Sequence, residues 1–91
     1  MKIKIYKSYD GENIRTEEER KKEIEKDTLE MYKDNGDMFD LFAEEKKYYP
    51  YTLFSMNDEE KEEVKKEFFQ WCQKVAEEYF DGLYEEIEKE V

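Results

Sequence analysis

Almost every side chain in this 91-residue chain that could enter chemistry is a carboxylate: 27 Asp and Glu stand against 16 Lys and Arg, with no His and one Cys, Cys72. Without His there is no imidazole to act as general base, to activate a Ser or Cys nucleophile, or to complete a Cys/His zinc cluster. One thiol cannot close an internal disulfide. Carboxylate pairs of the glycosidase kind carry no weight, because so many acids bring several within reach of one another by chance. Asp34-Asn35-Gly36-Asp37 sets oxygen ligands beside a glycine, but Phe39 and Leu41 fall where a calcium loop needs its later ligands. The three glycines form no phosphate-cradling loop. What remains is recognition by charge, so the expectation is a non-catalytic protein with no metal and no cofactor. Cys72 is expected to be a small buried hydrophobe, with Trp71 beside it in the core.

The net charge of −11 is unevenly spread. Residues 1–56 hold 14 acids and 11 bases, residues 57–91 hold 13 acids and 5 bases, and the excess therefore lies in the C-terminal part. On a helix, residues three and four apart sit about 5–6 Å from one another, so these carboxylates can form rows comparable to a nucleic-acid backbone. Glu77, Glu78, Asp81, Glu85 and Glu86 are the candidate partner-binding acids. Such a surface repels nucleic acid and anionic lipid, which excludes direct nucleic-acid binding and membrane association and points to a basic protein partner. Tyr48, Tyr49 and Tyr51 are candidate anchors, since tyrosine buries area while its hydroxyl keeps a polar partner and its ring can stack on Arg. The same rings could instead cap a small core.

Positioning these groups requires a folded chain. The hydrophobic fraction of 37% and the charge favour disorder, whereas eight Tyr, six Phe and one Trp favour an aromatic core. Folding of a chain this size hides only about 65% of its extended surface, which fits one small domain over residues 1–91. Met1 to Tyr9 alternates with a period of two and reads as a strand, with Met1, Ile3 and Ile5 inward and Lys2, Lys4 and Tyr6 outward. Outward lysines would discourage edge pairing. This strand needs a partner, from Tyr48 to Leu53 or from another chain. Asp10 to Asn13 is a polar turn. Thr16 with Glu19 is a capping box that opens a helix to Lys33, with Ile24, Thr28 and Met31 on a thin apolar stripe and Asp34-Asn35-Gly36 as its stop.

A short helix capped by Asp37 would present Met38, Leu41 and Phe42 to the core. Pro50 biases Tyr49 toward extended geometry, so Tyr48 to Leu53 is a short strand or a single helical turn. Asn57 with Glu60 is a second capping box. Beyond it Val64, Phe68, Trp71, Cys72, Val75 and Tyr79, widened by Phe69, Ala76 and Phe80, mark a long amphipathic helix from Asp58 to at least Phe80. Leu83, Ile87 and Val91 continue in steps of four, so this helix runs on to about Glu90 with a bend near Gly82 or breaks there. Carried to Glu90, its last turn sets Glu85, Glu86, Glu88 and Glu90 against Lys89 alone, the reverse of what the helix dipole prefers. Local helix stability does not account for those residues. The fold class is α+β: mostly helical, one N-terminal strand with room for a short second one, and two main helices.

A Lys-flanked N-terminal strand, Glu/Lys-rich helices, a tyrosine cluster and an acidic C-terminal helix together resemble small phage and mobile-element proteins that inhibit host nucleic-acid machinery. Among these the chain is similar to the acidic anti-CRISPR proteins that imitate DNA. The likeness lies in overall character across the chain and assigns no binding residue. It implies an inhibitor that occupies the nucleic-acid-binding surface of a CRISPR effector, which reads DNA through Lys and Arg. The alternative is a structural or adaptor protein that forms homodimers or hetero-oligomers through its strand or C-terminal helix. No apolar run approaches membrane-spanning length and no signal-peptide core is present, so the expected location is the cytoplasm, that of the host cell if a phage encodes it.

Overall fold

A computed structural model describes residues 1–34 and 36–91. Among them the order is β1 (Lys2–Ser8), β2 (Ile14–Thr16), α1 (Glu17–Lys33), α2 (Asp37–Lys46), α3 (Pro50–Phe54), α4 (Asp58–Leu83) and β3 (Tyr84–Glu90). The three strands form an antiparallel sheet in the order β2-β1-β3. The fold class is the α+β arrangement the sequence predicts, with a long amphipathic α4, but the sheet departs from expectation in three ways.

First, β1 is the central strand and not an unpaired one. Its partners are β2, with Tyr6 opposite Arg15, and β3, with Lys2 opposite Glu90 and Ser8 opposite Tyr84. Second, its faces are exchanged. Tyr6 and Ser8 are buried under the helices, while Ile3 is 39% exposed and Ile5 half-buried on the open face. The Tyr6 ring meets Phe80 edge-on, with centroids 5.7 Å apart, and covers more apolar area than an isoleucine there would. Lys2 and Lys4 thus share a face with Tyr6. Third, the second and third strands come from Ile14–Thr16 and Tyr84–Glu90, and Tyr48 to Leu53 contributes none. Pro50 instead occupies the first position of the short helix α3, where its missing N–H costs nothing.

The C-terminal helix accordingly does not reach Glu90. It passes Gly82 without a break, ends at Leu83, and hands the chain to β3 at Tyr84, whose N–H donates to the Phe80 carbonyl. Leu83, Ile87 and Val91 do not form a helical stripe, and the helix-dipole argument for Glu85, Glu86, Glu88 and Glu90 falls with it. β3 instead pairs along one edge of β1 and satisfies the backbone groups of Ile3, Ile5 and Lys7 that face it.

Both capping boxes form. Glu19 N–H donates to Thr16 Oγ1 at 3.1 Å and Thr16 N–H to Glu19 Oε1 at 3.1 Å, and Glu60 N–H donates to Asn57 Oδ1 at 2.8 Å. The turn after β1 has Gly11 at φ +79°, with its N–H donating to the Ser8 carbonyl. Helix α1 stops at Lys33, where Asp34 N–H donates to the Glu30 carbonyl; Asn35, expected in that stop, lies outside the described residues. Asp37 is the first residue of α2 and Gly36 its cap, without a side-chain bond. On α2, Phe42 is fully buried and Met38 and Phe39 are half-buried, whereas Leu41, expected inward, is 54% exposed. Phe39 takes its place by packing edge-on against Phe68.

Helix α4 is the spine. Its buried residues, Val64, Phe68, Cys72, Ala76 and Phe80, recur every fourth position, while Tyr79 is 65% exposed. Each step of four overshoots a turn by about 40°, so the buried line winds around the helix. Val64, Phe68 and Cys72 therefore close one cluster with Phe42, and Ala76 and Phe80 close another with Tyr6 and Ile24. Met31 packs against both. The result is an elongated body of 55 × 26 × 18 Å, with the sheet at one end and α2 and α3 at the other.

Candidate partner-binding surface

The direct passage from α4 to β3 places seven acids and one base, Lys89, on the unbroken segment from Glu77 to Glu90. Glu77 and Glu78 are exposed neighbours on α4, about 100° apart around the helix. Glu77 borders a hollow with Arg20, Lys21 and Phe69, and Glu78 borders another with Glu45, Trp71 and Lys74. Neither makes an ion pair among the described residues. Asp81 accepts from Arg20 Nη2 at 3.1 Å. That guanidinium lies over the Tyr6 and Phe80 rings, at 5.1 and 5.4 Å from their centroids, so Asp81 is tied to the core.

On β3 the acids divide between the two faces of the sheet. Glu85, opposite Lys7, lies on the open face. Glu86 lies on the helix-covered face, where it accepts the Tyr6 hydroxyl at 3.3 Å and pairs with Lys4 Nζ at 3.7 Å. Burial raises the Tyr6 pKa; Arg20 opposes the rise and Glu86 adds to it. Glu88 pairs with Lys2 at 3.9 Å and Glu90 with the N-terminal ammonium at 3.4 Å. Glu86, Glu88 and Glu90 thus form one row at intervals of about 6.8 Å, and each is more than half exposed. Glu88 and Glu90 belong to this row as fully as Glu86, although the sequence reading did not single them out for binding. Their signal was the period of two shared with Lys2 and Lys4.

The tyrosines separate as well. Tyr48 is half-buried against Phe42 and donates its hydroxyl to Glu67 at 2.7 Å, which raises its pKa. It belongs to the core end of the molecule. Tyr49 and Tyr51 are 49% and 73% exposed and stack at 5.7 Å, and Phe54 on the same short helix is 90% exposed. Trp71 is half-buried and donates Nε1–H to Glu45 at 2.6 Å. Cys72 is fully buried and its thiol pKa is pushed up by burial.

Among the described residues, no three His, Cys, Asp or Glu side chains converge in a way that could hold a metal ion, and no helix is long and apolar enough to cross a membrane. No protein-family model, curated protein or solved structure matches the chain.

Proposed function

We propose that this protein is a non-catalytic inhibitor that binds the basic nucleic-acid-binding surface of a host protein and blocks access of nucleic acid, a CRISPR effector being the leading candidate target. The observation that carries this reading is the joined α4–β3 segment, which holds seven carboxylates on two rigid elements with no loop between them. Three of them, Glu86, Glu88 and Glu90, form a preorganised row that does not have to be ordered on binding, so more of the attraction to a cationic groove survives as affinity. The ion pairs in the row are long and exposed, and such pairs contribute little to the fold and yield easily to a competing Arg or Lys. Tyr49, Tyr51 and Phe54 supply an exposed aromatic patch at the opposite end of the molecule.

The test is capture from host or phage-infected lysate at about 0.1 M and about 0.5 M salt, with added DNA as competitor. Recovery of a nucleic-acid-handling protein that salt weakens and DNA displaces supports the proposal. Loss of that recovery in a Glu77→Gln, Glu78→Gln, Glu85→Gln variant assigns it to these acids. A recovered partner indifferent to salt, DNA and the substitutions overturns it.

A second reading, homodimerisation, is favoured by the open face of the sheet. Ile3, Ile5, Ile14 and Ile87 lie there without a helix over them, and Ile14 is 56% exposed. Contiguous exposed apolar surface marks association sites. Sedimentation at rising concentration distinguishes this reading, and a monomer throughout removes it.

A further inference from the structure

The register of β3 shows which of its backbone groups are already used. Val91 N–H donates to the Met1 carbonyl at 2.9 Å and Tyr9 N–H to the Leu83 carbonyl at 3.1 Å, at the two ends of the β1–β3 ladder. Antiparallel pairs alternate between hydrogen-bonded and non-hydrogen-bonded, so Ile3 with Lys89, Ile5 with Ile87 and Lys7 with Glu85 are the bonded pairs between those ends. The N–H and C=O groups of Glu86, Glu88 and Glu90 consequently point away from β1, whereas the N–H of Tyr84 is already taken by the Phe80 carbonyl. Among the described residues no strand pairs with that edge. The six extended residues from Glu85 to Glu90, about 20 Å, present an open ladder there.

The side chains determine what can add to it. A second copy of β3 laid along this edge would set glutamates beside glutamates, and like charges on neighbouring strands repel. A basic strand meets no such obstacle, and the chain already contains one in place. β1, which reads Lys-Ile-Lys-Ile-Tyr-Lys from Lys2 to Lys7, pairs with the inner edge of β3, its lysines reaching Glu86 and Glu88 and its isoleucines lying on the face of Ile87. A strand on the outer edge would meet the same two faces of β3, because side chains alternate across a strand whichever edge is approached.

We infer that the outer edge of β3 is a docking edge for an extended basic segment of the partner protein, added as a fourth strand. Its Lys or Arg residues lie at every second position over Glu86, Glu88 and Glu90, and its apolar residues lie beside Ile87. Main-chain bonds supply the attachment and the alternating charges set the register. This inference rests on the proposed basic partner and specifies how one of its segments is held.

The experiment reads amide hydrogen exchange of the full chain with and without the peptide acetyl-Lys-Thr-Lys-Val-Lys-Thr-Lys-amide. In the free protein the Ile87 and Lys89 amides exchange slowly and those of Glu86, Glu88 and Glu90 fast. Saturating peptide is expected to slow the latter three by at least about tenfold and leave Ile87 and Lys89 little changed. The same peptide N-methylated at alternate residues, and one with Glu in place of Lys, are expected to give no protection. Glu88→Pro deletes an outward N–H while sparing the β1 ladder, so it abolishes the protection, whereas Glu88→Gln only weakens it. Peptide binding without protection, or unaffected by N-methylation, overturns strand addition and leaves the acidic-surface reading intact. That reading fails separately if lysate capture is insensitive to salt and DNA. Protection of Glu86, Glu88 and Glu90 in concentrated free protein, lost on dilution, would assign the edge to a second copy and overturn the inference.

Discussion

The ring of Tyr84 lies on the ring of Phe80, with centroids 4.2 Å apart and planes within 6° of parallel. Phe80 is in the last turn of α4 and Tyr84 is the first residue of β3, so the stack clamps the junction at which helix becomes strand. Arg15 from β2 lies over the Tyr84 ring at 5.8 Å, which ties the far strand to the same point. Phe80→Ala is expected to destabilise the fold by about 3–5 kcal/mol in urea titration. A double-mutant cycle with Tyr84→Ala should return a coupling of about 0.5–1.5 kcal/mol.

The aromatic residues near Pro50 should divide by role. Tyr48→Phe removes the hydrogen bond to Glu67 and is expected to cost about 1 kcal/mol of stability. Tyr49→Ala and Tyr51→Ala alter exposed rings, so stability should stay within about 0.5 kcal/mol of the parent. If the exposed pair anchors the partner, those two variants lose capture while Tyr48→Phe retains it.

Acid should weaken the fold through two carboxylates. The Ser8 hydroxyl first, and then Glu12 N–H, hold Asp10 below its usual range; Thr16 N–H does the same for Glu19. A lowered folded-state pKa means stability that is present above the unfolded value, near about 4, and lost as pH falls through the folded one. Asp10→Asn with Glu19→Gln should therefore flatten the acid limb of stability against pH. Asp27 has the opposite sign: burial, then Glu23 and Glu30, raise its pKa, so its contribution is present at low pH and lost as pH rises through the folded value. Asp27→Asn should stabilise the protein at neutral pH, measured by urea titration.

Salt should raise the melting temperature. The ion pairs among the described residues are partly or largely exposed and contribute about 0–1 kcal/mol each, while a net charge of −11 repels itself across the whole body. Screening removes more repulsion than attraction here. Circular-dichroism melts at about 0.05 M and about 0.5 M salt check the direction.

Cys72 should report unfolding. It is fully buried and its thiol is shifted away from the reactive thiolate by burial. Alkylation near pH 8 is expected to be far slower than for a free thiol and to accelerate through the urea transition, in step with loss of helix.

The parts of this fold legible in the sequence are those set by contacts within a few residues. Thr16 with Glu19 and Asn57 with Glu60 are spaced so that each pair satisfies its own helix start, and the structure has both boxes as read. The repeats along α1 and α4 needed only the helical period. Within the candidate site, the acid excess and the exposure of Glu77 and Glu78 followed from composition and pattern, because charged groups remain in water unless paired; the sequence left Tyr48, Tyr49 and Tyr51 open between core and surface, and packing divides them.

What tertiary structure decided was the conformation of Tyr84 to Glu90 and the inward face of β1. Leu83, Ile87 and Val91 fit a helix, while Glu86, Glu88 and Glu90 fit a strand, so local spacing supports both. β1 settles the choice, because its open backbone and its lysines are satisfied only if the distant segment is extended in register. The face of β1 was likewise chosen from outside. Phe80 and Arg20, distant in sequence, receive the Tyr6 ring, and isoleucines that local pattern would bury are left on the open side. Strand pairing and the choice of a buried face are long-range interactions, whose energies depend on which partner arrives, whereas a cap or a helical stripe carries its partner within the next turn.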